Sequence, residues 1–122
     1  MSRVIISRDA DAVWEEASAN WQPQAPGEAR GLRFKRLMRT LPGMPNMQRT
    51  QYHPFHHERP HSHPEDEVLF VLAGELFHGR DRLVAGDAIY VARDTTYSLR
   101  TEETGAEFVR VGMGDLSAPP QD

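Results

Sequence analysis

The sequence predicts an all-β sandwich or barrel, and three observations carry that prediction. From residue 32 onward, short runs rich in branched and aromatic residues follow one another closely. Clusters of Gly, Pro, Asn and Asp separate them roughly every 8 to 12 residues, the spacing of strands in an antiparallel sandwich or barrel. The length of 122 residues suits one domain large enough to bury a hydrophobic core.

The elements can be justified in order. "VII" at Val4 to Ile6 predicts a short strand. From Ala10 to Trp21 apolar residues fall at 10, 13, 14, 17 and 21. That is close to a helical period and predicts a short N-terminal helical segment, with Ser7 or Asp9 as its cap. "QPQAPGEARG" (22–31) carries two prolines and two glycines and reads as a loop. Residues 1–31 are thus expected to form an extension packed on the barrel, with Trp14 and Trp21 capping it or covering a sheet edge. A homodimer interface is the alternative role for the two tryptophans.

The barrel is expected over 32–115. "LRFKRLMRT" and "NMQRTQYH" read as strands joined by a turn at "LPGMPN". "EVLFVLAG", bounded by "HPED" and Gly74, reads as a buried strand. "ELFHG" and "RDRLVAGD" suggest a hairpin, and "AIYVA", "TYSLRTE" and "AEFVRVGM" complete the series. The tail 116–122, "LSAPPQD", is expected to be disordered.

Composition narrows the function classes. With no cysteine, disulfides and thiolate metal sites are excluded. The net charge of -4 argues against a nucleic-acid partner, which would want a basic face. Small anionic ligands remain compatible, because a pocket's charge can differ from the net charge. No stretch approaches the roughly 20 apolar residues of a membrane helix, and the N-terminus lacks a signal-peptide core. A cytoplasmic protein without a membrane partner is expected.

The most informative stretch is "HPFHHERPHSHPEDEVLFVLAGEL", which holds five of the six histidines. On an extended chain, residues two apart share a face, so His61-x-His63 would set two imidazoles side by side. A turn at Pro64 to Asp66 would bring Glu67 to the start of the next strand. Two imidazoles and a carboxylate with open positions are the ligand set of non-haem iron(II) oxygenases, and the same atoms suit zinc, manganese, nickel or copper.

From its first histidine, "HSHPEDEVLFVLAG" matches H-x-H-x(3)-E-x(6)-G, the first motif of the cupin family, and the chain resembles that family over roughly residues 32 to 113. The glycine usual six residues before the first histidine is replaced by Phe55. The second motif, G-x(5)-P-x-G-x(2)-H, lies over "GDAIYVARDTTY": Gly86 matches, whereas Ala92, Asp94 and Tyr97 stand at the proline, second-glycine and histidine positions. The resemblance implies a double-stranded β-helix (a cupin, or jelly-roll, barrel), often a homodimer, with a divalent metal ion such as Fe, Mn, Ni or Zn inside. It implies His61, His63 and Glu67 as metal ligands and puts Tyr97 at the fourth ligand's position. Three roles are open to Tyr97: phenolate ligand, neutral hydrogen-bond donor or general acid, or lining of a weak or empty site.

Other residues are weighed beside these. His53 ends a strand and is the first candidate for a substitute or outer-shell ligand, against an exposed strand-end residue. His56 and His57 lie in a Pro-flanked loop and are expected at the barrel mouth in solvent; His78 is expected at a hairpin tip. With Glu67 inward, period 2 sends Leu69 and Val71 inward and Val68, Phe70 and Leu72 outward. Inward Tyr97 likewise implies inward Leu99. Gln51, Arg49 and Arg100 are candidates for polar groups in the pocket, where an arginine would favour a carboxylate. Two functions follow. One is a metal-dependent enzyme acting on a small organic, possibly anionic, substrate, dioxygenase-like first and lyase or isomerase next, with Tyr97 catalytic. The other is a non-catalytic small-molecule binding or sensory module, because fold does not settle function.

Overall fold

The computed structural model describes residues 3–16 and 31–114. Seven strands follow a single turn of 3-10 helix at Asp9–Asp11: β1 (Glu15–Glu16), β2 (Leu32–Met38), β3 (Asn46–Tyr52), β4 (Glu67–His78), β5 (Asp81–Val84), β6 (Ala88–Val91) and β7 (Ala106–Gly112). They pair antiparallel in the order β1-β2-β3-β7-β4-β5, with β6 on the free side of the first half of β4. Glu67 to Phe70 of β4 pair with both β6 and β7, and Glu75 to His78 pair with β5. β4 therefore passes from one sheet to the other and closes the double-sheet architecture.

Alternation along β4 follows the expectation. Glu67, Leu69 and Val71 are buried, at 1 %, 1 % and 0 % exposure, whereas Phe70 and Leu72 are exposed. Leu69 and Val71 join Leu76, Leu83, Val91, Leu99 and Phe108 in one core. Burying each such side chain contributes about 1.5–3 kcal/mol.

Several local expectations are corrected. "EVLFVLAG" and "ELFHG" are one strand, because the register shift between Val71 and Ala73 lets β4 bend without ending. Gly74 does adopt positive φ (73°), but inside the strand and not in a turn leaving it. "TYSLRTE" is not a strand; it makes single bridges through Tyr97 and Arg100. Val4 to Ile6 form no strand and are exposed.

The N-terminal helical segment is also corrected. After the turn at Asp9–Asp11 the chain is extended, and Glu15 and Glu16 pair with Phe34 and Arg33 on the edge of β2. No core faces this stretch, since Val13 is 75 % exposed. Trp14 instead lies under the cations of Arg33, Lys35 and Arg49, at 4.3, 5.0 and 5.4 Å from its ring centre. Edge pairing and cation–π contacts thus override a helical apolar period. Trp21, the rest of the expected helix and the tail lie outside the described residues. Among the described residues no helix is long and apolar enough to cross a membrane.

Candidate functional site

A cavity of about 420 Å³ opens inside the barrel. Leu32, Leu69, Leu99 and Phe108 supply apolar wall, and His61, His63, Tyr97, Glu58, Glu65 and Arg110 supply its ionisable groups. These residues come from three strands, β2, β4 and β7, and from two irregular segments bonded to each other. His61 N donates to Tyr97 O and Tyr97 N to His61 O, both at 2.9 Å, and Glu58 N donates to Leu99 O at 2.8 Å. His61 and His63 are not in a strand, yet this pairing holds the segment extended.

The two imidazoles do adjoin. Their ring centres are 4.9 Å apart, edge to face. Nδ1 of His61 lies 2.8 Å from the carbonyl oxygen of Arg59. A carbonyl can only accept, so Nδ1 carries a proton, and in the neutral ring it is Nε2 that holds the lone pair. Burial lowers the pKa of His63, the charges of Arg110 and His61 add to that, and Glu67 and Glu65 oppose it. His63 thus tends to the neutral form a metal requires.

Glu67 is differently engaged. Its Oε1 accepts from the Tyr97 hydroxyl and its Oε2 from Arg110 Nε. Arg110 also donates to Glu65 at 2.7 Å and to Asn46 at 2.9 Å. The other oxygen of Glu65 accepts from Asn46 Nδ2 at 3.0 Å and from Gly114 N at 3.1 Å. Burial, then the bond to Glu67, pushes the Tyr97 hydroxyl far above the usual tyrosine range. Of the three roles open to Tyr97, its geometry here is that of the neutral donor.

Among the described residues, no three His, Asp or Glu side chains are grouped so as to hold a metal ion as they stand. In kind, the set fits a divalent ion: two imidazoles able to be neutral, a buried carboxylate, and Glu58 and Glu65 nearby against the single guanidinium of Arg110. In placement it is incomplete, because Glu67 is bound to Tyr97 and Arg110.

Four residues that the sequence reading did not place here, His56, Tyr52, Glu58 and Arg110, also serve the site. His56 is 1 % exposed, not solvated at a mouth, and its Nε2 lies 3.0 Å from Glu58 Oε2. The Tyr52 ring packs on His56 at 4.4 Å, and its hydroxyl bonds to Glu58. Burial acts to raise the Glu58 pKa, but the bond and charge of His56, with His61 and Tyr52, lower it overall. His56-x-Glu58 repeats the spacing of His61-x-His63, and that repetition was the available signal. Arg110 shares the inward face of β7 with Ala106 and Phe108, as period 2 requires.

Other candidates lie elsewhere. Gln51 and Arg49 sit on the opposite face of β3 from Thr50 and Tyr52; Gln51 bonds Arg33 and Glu107, and Arg49 bonds Glu107 and Asp9. His53 is exposed and lies against Gly31, not in the cavity wall. Arg100 donates to Gly79 O and stacks on Phe77.

Phe55 and Asp94, which replace the two motif glycines, have φ of 58° and 61°. The backbone keeps a conformation suited to glycine after the glycines themselves are gone. Left-handed strain at a non-glycine residue costs about 1–3 kcal/mol. Phe55 is 58 % exposed and so loses little by truncation. Phe55→Gly should therefore stabilise the fold by about 1 kcal/mol, read as a higher urea midpoint, after the extra chain entropy of glycine is subtracted.

No protein-family model and no curated protein matches the sequence. Solved structures do. KdgF from Halomonas sp. is similar over 98 % of this chain and 97 % of that one, at TM-score 0.67 and 17 % identity. An RmlC-like cupin from Shewanella frigidimarina is similar over 98 % and 95 %, at 0.69 and 16 %. The polyketide cyclase RemF from Streptomyces resistomycificus is similar over 98 % and 82 %, at 0.68 and 21 %. At such identities the likeness is one of fold, and it agrees with the strand order: the chain has the cupin fold.

Proposed function

We propose that this cupin-fold chain binds a divalent metal ion through His61 and His63, with Glu67 as third ligand, and acts on a small organic molecule in the adjoining cavity. The observation that carries the reading is the pair of adjoining imidazoles in the cavity wall, one tied through Nδ1 to the Arg59 carbonyl so that Nε2 is its ligating nitrogen, the other favoured neutral. A bound ion would polarise an oxygen of the substrate, and Fe, Mn, Ni or Zn would suit the donors. The chain's own residues orient the molecule. Leu69, Leu99 and Phe108 exclude water, Arg110 favours a carboxylate on the substrate, and the Tyr97 hydroxyl is a neutral proton donor at the wall. Oxidoreductase chemistry of the dioxygenase type is the first reading, with lyase or isomerase chemistry through Tyr97 next. One of the similar structures is described as a polyketide cyclase, which supports a catalytic use of such a barrel.

A second reading, a non-catalytic binding module, is favoured by one feature: both oxygens of Glu67 already have partners within the protein. Calorimetric titration of chelator-treated protein with Zn(II), Mn(II), Ni(II) and anaerobic Fe(II) tests the metal. One equivalent is expected, and His61→Ala should weaken it by more than about 100-fold, since even outer-shell partners are worth 10–100-fold. Absence of binding for all four ions would refute the metal reading. Stoichiometric binding without turnover of small acids or diketones would favour the binding module.

A further inference from the structure

We infer that Arg110 is an internal counter-ion that competes with the metal for Glu67, so that loading the site requires that carboxylate to exchange a guanidinium for the ion. The inference rests on the metal reading above and adds a residue that sets the site's affinity. Its basis is a built network, not one contact. β7 is paired with β4 so that Leu69 faces Arg110 and Glu67 faces Gly112. Arg110 thereby projects inward one step along the barrel from Glu67 and reaches it through Nε, while its two terminal nitrogens hold Asn46 and Glu65.

The arm that holds Arg110 from behind is itself seated by the backbone. A side chain at Gly112 would fall 2.5 Å from Glu65 Oε1 and 2.8 Å from Asn46 Nδ2. Only a bare backbone there leaves room for the Glu65–Asn46 pair. Glu65 also accepts from Gly114 N. Guanidinium has five donors, so Arg110 can release Glu67 and remain paired to Glu65 and Asn46. Glu67 is thus the exchangeable partner, and it is the one carboxylate of the three that the motif assigns to the metal. An ion entering beside Arg110 meets a fixed positive charge whose side chain is only 16 % exposed, so the repulsion is screened less than at the open surface.

The test is calorimetric titration of chelator-treated protein with Zn(II) and Mn(II), in the natural chain and in Arg110→Met and Arg110→Lys. The Met variant removes the charge while keeping length. It should bind each ion at least about tenfold more tightly, and the Lys variant, which keeps the charge, should stay near the natural chain. Adding His61→Ala to Arg110→Met should abolish the gain, which separates this site from surface histidines. Binding by the natural chain with equal or weaker binding by folded Arg110→Met overturns the competition alone. No binding by any form overturns the metal reading and the competition with it. A second measurement covers a Met variant that does not fold. The Arg110 Nε–H resonance of the natural chain, assigned by its absence in Arg110→Lys, should lose its hydrogen-bonded shift as Zn(II) is added, with the midpoint of ion binding. An unmoved resonance at saturating Zn(II) overturns the proposal.

Discussion

Glu67→Ala is expected to destabilise the protein by about 3 to 5 kcal/mol, the cost of removing one partner from a buried ion pair. The carboxylate is 1 % exposed and receives two donors, the Tyr97 hydroxyl and Arg110 Nε. Alanine leaves both donors without that acceptor and opens a void beside Leu69. Arg110 keeps Glu65 and Asn46, and its side chain is 16 % exposed, so the lower end of the range applies. Glu67→Gln loses the charge and one of the two acceptor oxygens, but its remaining oxygen can accept from Arg110 and its NH2 can donate to the Tyr97 hydroxyl, so its cost should be smaller, about 1 to 3 kcal/mol. The double replacement Glu67→Leu with Arg110→Leu should recover only part of the loss, because it removes both members of that pair but leaves Glu65 with Asn46 and Gly114 N alone as partners. Urea denaturation in the presence of a chelator measures all three, since a bound metal would add its own stabilisation. A cost under about 1 kcal/mol for Glu67→Ala, at the level of an exposed pair, would mean that the carboxylate is not held by Arg110 in solution.

What was legible in the sequence was whatever period and spacing specify strongly. β4 is apolar at every position from 68 to 73, yet once the motif set Glu67 inward, period 2 gave the rest of its inward set, Leu69 and Val71. β3 could not be read that way. "NMQRTQY" is polar at nearly every position, so neither parity is favoured, and Gln51 and Arg49 looked as suitable as the Thr50 and Tyr52 that face inward. Arg110 escaped notice for a related reason: a lone charge in a mostly apolar strand reads as solvent-facing until it is known which carboxylates it meets. His56 lies beside Pro54 in an apparent loop, and nothing local shows that residues 56–61 are bonded to 97–101. Such long-range pairing is invisible to a local pattern. The N-terminal segment failed in the opposite direction: its apolar positions have a helical period, but among the described residues Val13 stays in solvent and the edge of β2 takes Glu15 and Glu16 as a strand.

Gly74→Ala is the other substitution with a large expected cost, about 3 to 4 kcal/mol, of which left-handed φ accounts for about 1–2 kcal/mol and a backbone collision for the rest. Gly74 has φ 73° at the point where β4 leaves β7 for β5. A Cβ there would strike the carbonyl oxygen of Gly105 and come within 2.9 Å of Ala106 Cα. That carbonyl already accepts from Glu75 N at 2.9 Å, so neither strand can withdraw without losing a ladder bond. No side-chain rotation relieves a contact between two backbones. At roughly 4 °C or more per kcal/mol for a domain of this size, the melting temperature should fall by about 10 °C or more. Gly79→Ala is the internal control: its φ is 57°, but nothing lies within 4 Å of the added carbon. It should cost only the conformational share, about 1 kcal/mol. Equal losses at the two positions would mean that Gly74 is needed for its φ alone, and that β4 does not approach Gly105 as closely as the fold requires.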